Sequence, residues 1–328
     1  MGARRPRRRE QVMTATARPR VGFVGLGVMG SAMAGNVLAT GAFEVGGFDI
    51  DADRRQAFAE AGAVAYDDLA ALAAASDIVL TSLPSAAAFA AVLDGLAEHA
   101  RPGTVVVETS TLDLRTKLDG AARLAGAGIE MLDAPVSGTG AQARTGDLIA
   151  YVSGAPEAIE RARSLVEAFT RAHFELGDVG KGTLMKLVAN HLVAVHNVAA
   201  AEALGFAQDL GLDLRQVLAA VGDGAGASRM FGVRGPDMVQ GRYEPASIRM
   251  DVFAKDLEII GTAAAEAGTA TPLFDAARAV YRDGLSDGLV ASDTAVVFEV
   301  LRRQPRPNEP APSGRRESTS ITDRKEQP

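Results

Sequence analysis

VGFVGLGVMG, residues 21–30, decides the fold. An apolar run of strand length meets Gly25, Gly27 and Gly30 in G-x-G-x-x-G spacing, and a helical pattern follows. Each glycine has its own task in such a strand–turn–helix: a tight turn, room for backbone to approach a pyrophosphate, and close helix–strand packing. The free N–H groups at the helix start then face the phosphates. Leu26, Val28 and Met29 complete the loop, so residues 25–30 are the expected cradle of a dinucleotide. Asp49 ends the next strand-like run, near the spacing of about 20 residues expected of a carboxylate on the adenosine ribose. A carboxylate there favours NAD and repels the 2′-phosphate of NADP. Arg54 and Arg55, close behind it, keep NADP open as the second choice. Leu83 and Pro84, at the end of a later apolar run, are placed along the same cofactor.

Strand-like and helical patterns alternate outward from this loop. Apolar runs recur at VGFVG (21–25), EVGGFD (44–49), DIVLTSL (77–83), TVVVET (104–109), IEMLDAP (129–135) and LIAYVSG (148–154). Ala-rich amphipathic stretches of helical length lie between them. The alternation predicts βαβ units and a buried parallel sheet, an α/β Rossmann-type domain. Beyond Gly182 the period changes. TLMKLVANHLVAVHNVAAAEALGFAQDLG runs without proline and is apolar on nearly all sides, as in a helix buried between domains or subunits. LRQVLAAV, DVFAKDLEIIGTAAAEAG and PLFDAARAVYRDGL continue the helical spacing, and no strand is expected after about residue 180. The predicted organisation is a dinucleotide-binding domain over 21–181 and an all-α substrate and dimerisation domain over 182–301. A basic disordered extension (1–20) precedes them and a Pro-rich disordered tail (302–328) follows.

The chain of 328 residues is long enough for two domains, and it is 47% hydrophobic. It has no run of roughly 18 apolar residues, so no membrane-spanning helix is expected. Without cysteine it can form no disulfide, which fits a reducing compartment, and the expected location is cytoplasmic. His99, His173, His191 and His196 lack metal-ligand spacing, so no metal site is expected. The formal net charge is −7, and both tails are basic, so the body is more acidic than the whole. Such a body repels nucleic acid and anionic membrane, and an anionic substrate needs a local positive site. MGARRPRRREQ lacks the apolar core of a secretory signal. It reads as a disordered extension, with a nucleic-acid tether as the sharper alternative.

Lysine is scarce, five residues among 34 basic ones. Lys117 sits in a polar helix pattern and Lys325 in the tail. Lys181, Lys186 and Lys255 lie in segments that look like parts of one site. Arginine stays protonated, whereas lysine can exchange a proton once burial or a nearby cation lowers its pKa. Asn190 follows Lys186 by one helical turn, on the same face. Burying such groups unpaired costs about 1–3 kcal/mol each. They therefore bond each other or solvent, or they serve a substrate. Alcohol oxidation needs a base for the hydroxyl proton as hydride leaves carbon, and a buried lysine suits that task. Asn190 would then hold the substrate oxygen or orient the ammonium.

With these residues in hand, the chain resembles the β-hydroxyacid dehydrogenases, the family of 3-hydroxyisobutyrate dehydrogenase and tartronate semialdehyde reductase, over residues 21 to about 285. The resemblance is carried by GFVGLGVMG (22–30), ETSTL (108–112), DAPVSG (133–138), GKGTLMKLVAN (180–190) and KDL (255–257). It implies a general acid/base role for Lys186 and substrate binding by Asn190. Ser137 and Gly138 would bind the substrate carboxylate, with Thr139 beside them. Ser110 and Thr111 would lie by nicotinamide and substrate, and Lys255 beside the cofactor. The implied reaction moves hydride between NAD(P) and a small 3-hydroxy acid or its semialdehyde. The long apolar helix adds the expectation of a homodimer or homotetramer.

On the residues alone, DAPVSG reads as a turn after a strand, and Lys255 as a solvated lysine with Asp256 as its ion-pair partner or a helix-surface charge. In the functional reading Lys255 is a second cation that lowers the Lys186 pKa, Asp133 caps a helix and Lys181 starts one. Thr139 and Gln142 stand where the family commonly has glycine, and Ala189-Asn190 replaces Asn-Asn. These departures bear on the substrate, with Gln142 offering a side-chain contact. Met230, Phe231 and the segment SRMFGVRGPD are expected to border the pocket. Three other readings compete. Imine reductases share the fold and usually lack the lysine. A non-catalytic binding protein on the same fold would also lose it. A decarboxylating sugar-phosphate dehydrogenase would want a basic cluster beyond Arg229 and Arg234.

Overall fold

The structure, a computed structural model, describes residues 18–304. The basic extension and the Pro-rich tail therefore lie outside the described residues, save 18–20 and 302–304.

The chain opens with β1 (Arg20–Val24), α1 (Val28–Thr40), β2 (Glu44–Phe48), α2 (Ala52–Glu60), β3 (Val64–Ala65), α3 (Leu69–Ala75) and β4 (Ile78–Thr81). It continues through α4 (Ala86–His99), β5 (Val105–Glu108), α5 (Leu114–Gly126) and β6 (Glu130–Asp133). These strands form one parallel sheet in the order β3-β2-β1-β4-β5-β6. The order reverses between β1 and β4, and an open α/β sheet takes its ligand in the crevice at the carboxyl ends there. Helices cover both faces, so β4 and β5 are buried along their whole length and read as unbroken apolar runs. Side chains alternate between two cores. Val21, Phe23, Leu80 and Val107 enter one, while Val24, Val79 and Val106 enter the other.

LIAYVSG was expected to extend this sheet, and it does not. β7 (Val136–Ser137), α6 (Gly140–Arg144), β8 (Leu148–Val152), α7 (Pro156–Phe169) and β9 (Thr170–Glu175) build a separate sheet, β7-β8-β9. Here β7 and β8 are antiparallel, and β8 and β9 parallel. A parallel return needs a crossover of a dozen or more residues, roughly, and the chain between β7 and β8 is shorter than that. The bridge Asp133↔Ser153 ties the end of β6 to the end of β8.

The rest of the described chain is helical: α8 (Lys181–Asp209), α9 (Leu214–Gly222), α10 (Arg229–Gln240), α11 (Met250–Glu266), α12 (Pro272–Ser286) and, after a 3-10 turn, α13 (Val297–Arg303). α8 is the spine against which α10, α11, α12 and α13 pack. By length and composition it could cross a membrane. Its buried polar residues face protein, as Asn197 does, donating to Tyr281 Oη at 2.8 Å and to the Thr294 carbonyl at 2.9 Å. SRMFGVRGPD, not among the segments read as helical, starts α10 and carries Pro236 inside the helix. Arg234 from that segment is buried and pairs with Asp293 at 2.8 Å.

Candidate active site

The glycine loop has the shape that a pyrophosphate requires. Gly25 lies at φ +90°, and a Cβ there would strike the Ser82 carbonyl; a Cβ on Gly30 would strike the Gly25 carbonyl. Neither position accepts a side chain. A Cβ on Gly27 would approach only the Arg54 guanidinium, at 3.6 Å. Gly27 also precedes α1 without any side-chain cap, so the first N–H groups of the helix face an open cradle. These residues fit NAD(P). Asp49 is buried beneath the loop, where Oδ2 accepts from Leu26 N at 2.7 Å and Oδ1 from Asp51 N at 2.9 Å. Arg54 lies 3.4 Å from Asp49 Oδ2.

The loops at the ends of β4 and β5 are tied together. Leu83 N donates to Ser110 Oγ at 2.7 Å, and Ser110 N donates to Glu108 Oε1 at 2.7 Å. Pro84 follows on the exposed turn into α4. From the helical side, Lys255 Nζ on α11 donates to the Thr111 carbonyl at 2.9 Å.

The first turn of α8 is anchored on the strand ends. A Cβ on Gly182 would come within 2.6 Å of the Asp133 carbonyl, so only glycine permits this approach. Thr183 N donates to Asp133 Oδ2 at 2.7 Å and its hydroxyl to Oδ1 at 2.8 Å, while Gly182 N donates to Ser153 Oγ at 2.9 Å. Asp133 is thus the helix cap expected of it, acting from another element, and Lys181 is the helix start. A carboxylate at a helix N-terminus contributes about 0.3–1 kcal/mol, up to ~2 when partly buried.

One turn on, Lys186 and Asn190 are both buried, at 8% and 5% exposure. They do not bond each other. Asn190 Nδ2 donates to Asp256 Oδ2 at 3.0 Å, and Lys255 Nζ lies 3.6 Å from Asp256 Oδ1. Among the described residues, Lys186 Nζ makes no hydrogen bond. Burial pushes its pKa down, and the Asp256 carboxylate pulls the other way. Burial pushes Asp256 up, against Lys255, Lys186 and the Asn190 bond. Lys255 was expected to depress the Lys186 pKa directly. Its ammonium turns instead to the Thr111 carbonyl and Asp256, and burial rather than Lys255 lowers the Lys186 pKa.

Ser137 ends β7, and Gly138 follows at φ +145°. The side chain of Gln142, expected to offer a substrate contact, is engaged within its own loop. Thr139 N donates to its Oε1 at 3.0 Å, Gln142 N donates to Thr139 Oγ1 at 3.3 Å, and Gln142 Nε2 donates to Asp147 at 2.9 Å. The two departures from glycine are a capping box for α6. A Cβ on Gly140 would meet Val28 at 2.7 Å, so this loop rests on the phosphate loop. In the segment expected to border the pocket, Phe231 is buried in the helical core and lines a cavity with His196 and Val221, while Arg229 lies 3.9 Å from Asp147 Oδ2.

Sequence reasoning missed Lys117, which it left in a polar helix pattern. The residue is fully buried, with Nζ 3.4 Å from Glu108 Oε1 and 3.1 Å from Asp133 Oδ1. The signal was the spacing 117, 120, 124, which is the buried face of α5.

Comparison with known proteins meets this geometry. Residues 20–180 match the family described as the NAD binding domain of 6-phosphogluconate dehydrogenase. Residues 180–301 match that described as NAD-binding of NADP-dependent 3-hydroxyisobutyrate dehydrogenase. L-threonate dehydrogenase of Escherichia coli is 33% identical over 286 residues, covering 86% of this chain and 94% of that protein. The chain belongs to the β-hydroxyacid dehydrogenase family. NAD-dependent L-serine dehydrogenase of Pseudomonas aeruginosa is 33% identical over 292 residues, covering 86% and 97% of the two chains. A structure of Mycobacterium tuberculosis 3-hydroxyisobutyrate dehydrogenase with L-serine superposes with a TM-score of 0.80 at 26% identity, over 87% of this chain and 100% of that one. An imine reductase of Streptomyces aurantiacus, 23% identical with a TM-score of 0.57, over 86% of this chain and 99% of that one, shares the fold alone. This β-hydroxyacid dehydrogenase is accordingly an NAD(P)-dependent oxidoreductase.

Proposed function

We propose that the enzyme oxidises a small 3-hydroxy acid, or reduces the corresponding semialdehyde, with Lys186 as general acid/base. One observation carries this: a buried lysine amine, without a hydrogen-bond partner among the described residues and with its pKa lowered, on a helix anchored to the strand ends beside the dinucleotide cradle. In oxidation the neutral amine takes the hydroxyl proton while carbon becomes a carbonyl. In reduction the ammonium returns that proton to the nascent alkoxide. The nicotinamide, when bound, accepts or donates the hydride. Asn190, fixed by Asp256, orients the substrate oxygen, and the Ser137–Gly138 backbone with Thr139 receives the carboxylate. Ser110 and Thr111 wall the site, and Leu83, Pro84 and Lys255 border the cofactor.

NAD is the proposed preference, because the Asp49 carboxylate lies under the glycine loop, where a 2′-phosphate would be repelled. The names of relatives support a hydroxy-acid substrate: L-threonate, L-serine and 2-(hydroxymethyl)glutarate dehydrogenases. The acidic body supports neither a nucleic-acid nor a membrane partner, and the cysteine-free composition supports a cytoplasmic location. Residues 21–181 and 182–301 remain the proposed working units, assembled as a homodimer or homotetramer. The test follows NADH absorbance with 3-hydroxyisobutyrate, L-serine, threonate, tartronate semialdehyde, glyoxylate and succinic semialdehyde. Turnover of at least one is expected. Failure with every one, with either cofactor, sinks the reading.

A further inference from the structure

We propose that Lys117 is a positioning residue, which sets the Ser110–Thr111 wall of the site against the start of the catalytic helix. The inference rests on the role given to Lys186 above. Glu108 and Asp133 are register partners at the carboxyl ends of neighbouring parallel strands. Their side chains, both fully buried, sit on either side of the Lys117 ammonium, at 3.4 and 3.1 Å.

Each carboxylate has a second duty. Glu108 Oε1 accepts the Ser110 N–H at 2.7 Å, and its Oε2 accepts the Thr81 hydroxyl. Asp133 accepts both groups of Thr183, three residues before Lys186. One ammonium therefore joins the carboxylate that shapes the wall to the carboxylate that fixes the helix. Without it, two carboxylates face each other in a medium of low dielectric, and their repulsion drives them apart. Separation displaces Ser110 or Thr183. Stability alone is a weak reason for such a network, since apolar replacement of buried ion pairs is often neutral or better. The geometry it imposes is specific, because every oxygen named has its own partner. Arginine is a poor substitute, since its wide planar fork does not fit where a compact point charge lies between two acids.

Lys117→Met in the full chain tests this. Misplacing reacting groups by about 1 Å costs up to roughly 100-fold, so kcat should fall by about 10–100-fold at temperatures where circular dichroism shows the variant folded. KM for the cofactor should stay within about threefold, because the phosphate loop is untouched. A second readout needs no substrate: the pH profile of Lys186 acetylation by acetic anhydride, followed by mass spectrometry, should shift its midpoint. A purely structural lysine would lower Tm and move neither kcat nor that profile, and this result overturns the proposal. If Lys117→Met does not fold, Thr183→Val decides. It breaks the hydroxyl bond to Asp133 without leaving a buried charge unpaired. An unchanged Lys186 profile there overturns the proposal, and a shifted one supports it. Lack of turnover by the parent enzyme would count against the proposed reaction alone, since the acetylation profile still reports on the positioning.

Discussion

Asn190 on α8 and Asp256 on α11 are joined by a 3.0 Å hydrogen bond, so the amide on the catalytic helix is held from outside that helix. The side chain of Lys186, one turn earlier on the same face, makes no hydrogen bond among the described residues. If the Lys186 amine is the proposed general acid/base, its loss should remove proton transfer while leaving the cradle intact. Lys186→Ala should lower kcat by a factor on the order of 10²–10⁴. NADH binding, read by fluorescence titration, should persist. Near-normal turnover in that variant would contradict the mechanism.

The pH dependence follows from burial of the same amine, which places its pKa below the ordinary 10.5. Oxidation needs the neutral form, so its kcat/KM should rise with pH through the Lys186 titration and level off above it. Reduction needs the ammonium and should fall over the same interval. Stability carries a second sign. Between the folded and unfolded pKa values the unfolded chain binds more protons, so stability climbs with pH there. Lys186→Met should therefore raise Tm most below the folded pKa, with the gap closing as pH nears 10.5. A gap that widens with pH in differential scanning calorimetry would reverse the assignment.

Cofactor choice turns on Asp49 and its neighbour Arg54, 3.4 Å away. The carboxylate should make NAD the better substrate by kcat/KM. Asp49→Asn removes the charge and keeps an acceptor for Leu26 N, leaving Arg54 to meet a 2′-phosphate. NADP use should rise about tenfold, the equivalent of ~1.4 kcal/mol. Arg54→Ala in that background should reverse the gain. A parent enzyme that prefers NADP would overturn this reading of Asp49.

Much of this was legible in the sequence because the signals were local. The glycine spacing, the apolar runs and the Lys186–Asn190 turn each lie within one element or one junction. What escaped depended on contacts between distant elements. Lys117 looked polar because its partners, Glu108 and Asp133, lie on two separate strands. Gln142 looked free because its cap uses the backbone of Thr139 and the side chain of Asp147. The short β7 and the antiparallel turn to β8 were hidden because two residues carry no periodicity. α10 was hidden by the Gly and Pro inside it, and tertiary packing around buried Arg234 overrides that propensity.

The exposed stripe of α8 gives the last prediction. Leu184, Val188 and Leu192 follow one another at helical spacing, at 38%, 60% and 47% exposure, with Met185 at 41% beside them. Fully burying one such side chain is worth about 1.5–3 kcal/mol, so the stripe gains most from a second copy of the same surface. Light scattering should give a mass of twice or four times the 34.0 kDa chain. Val188→Glu places a charge in the middle of the stripe and should shift the species toward monomer. Far-UV circular dichroism should stay unchanged, since Val188 faces away from the helical core. A parent enzyme that is monomeric at micromolar concentration would refute the assignment of this face.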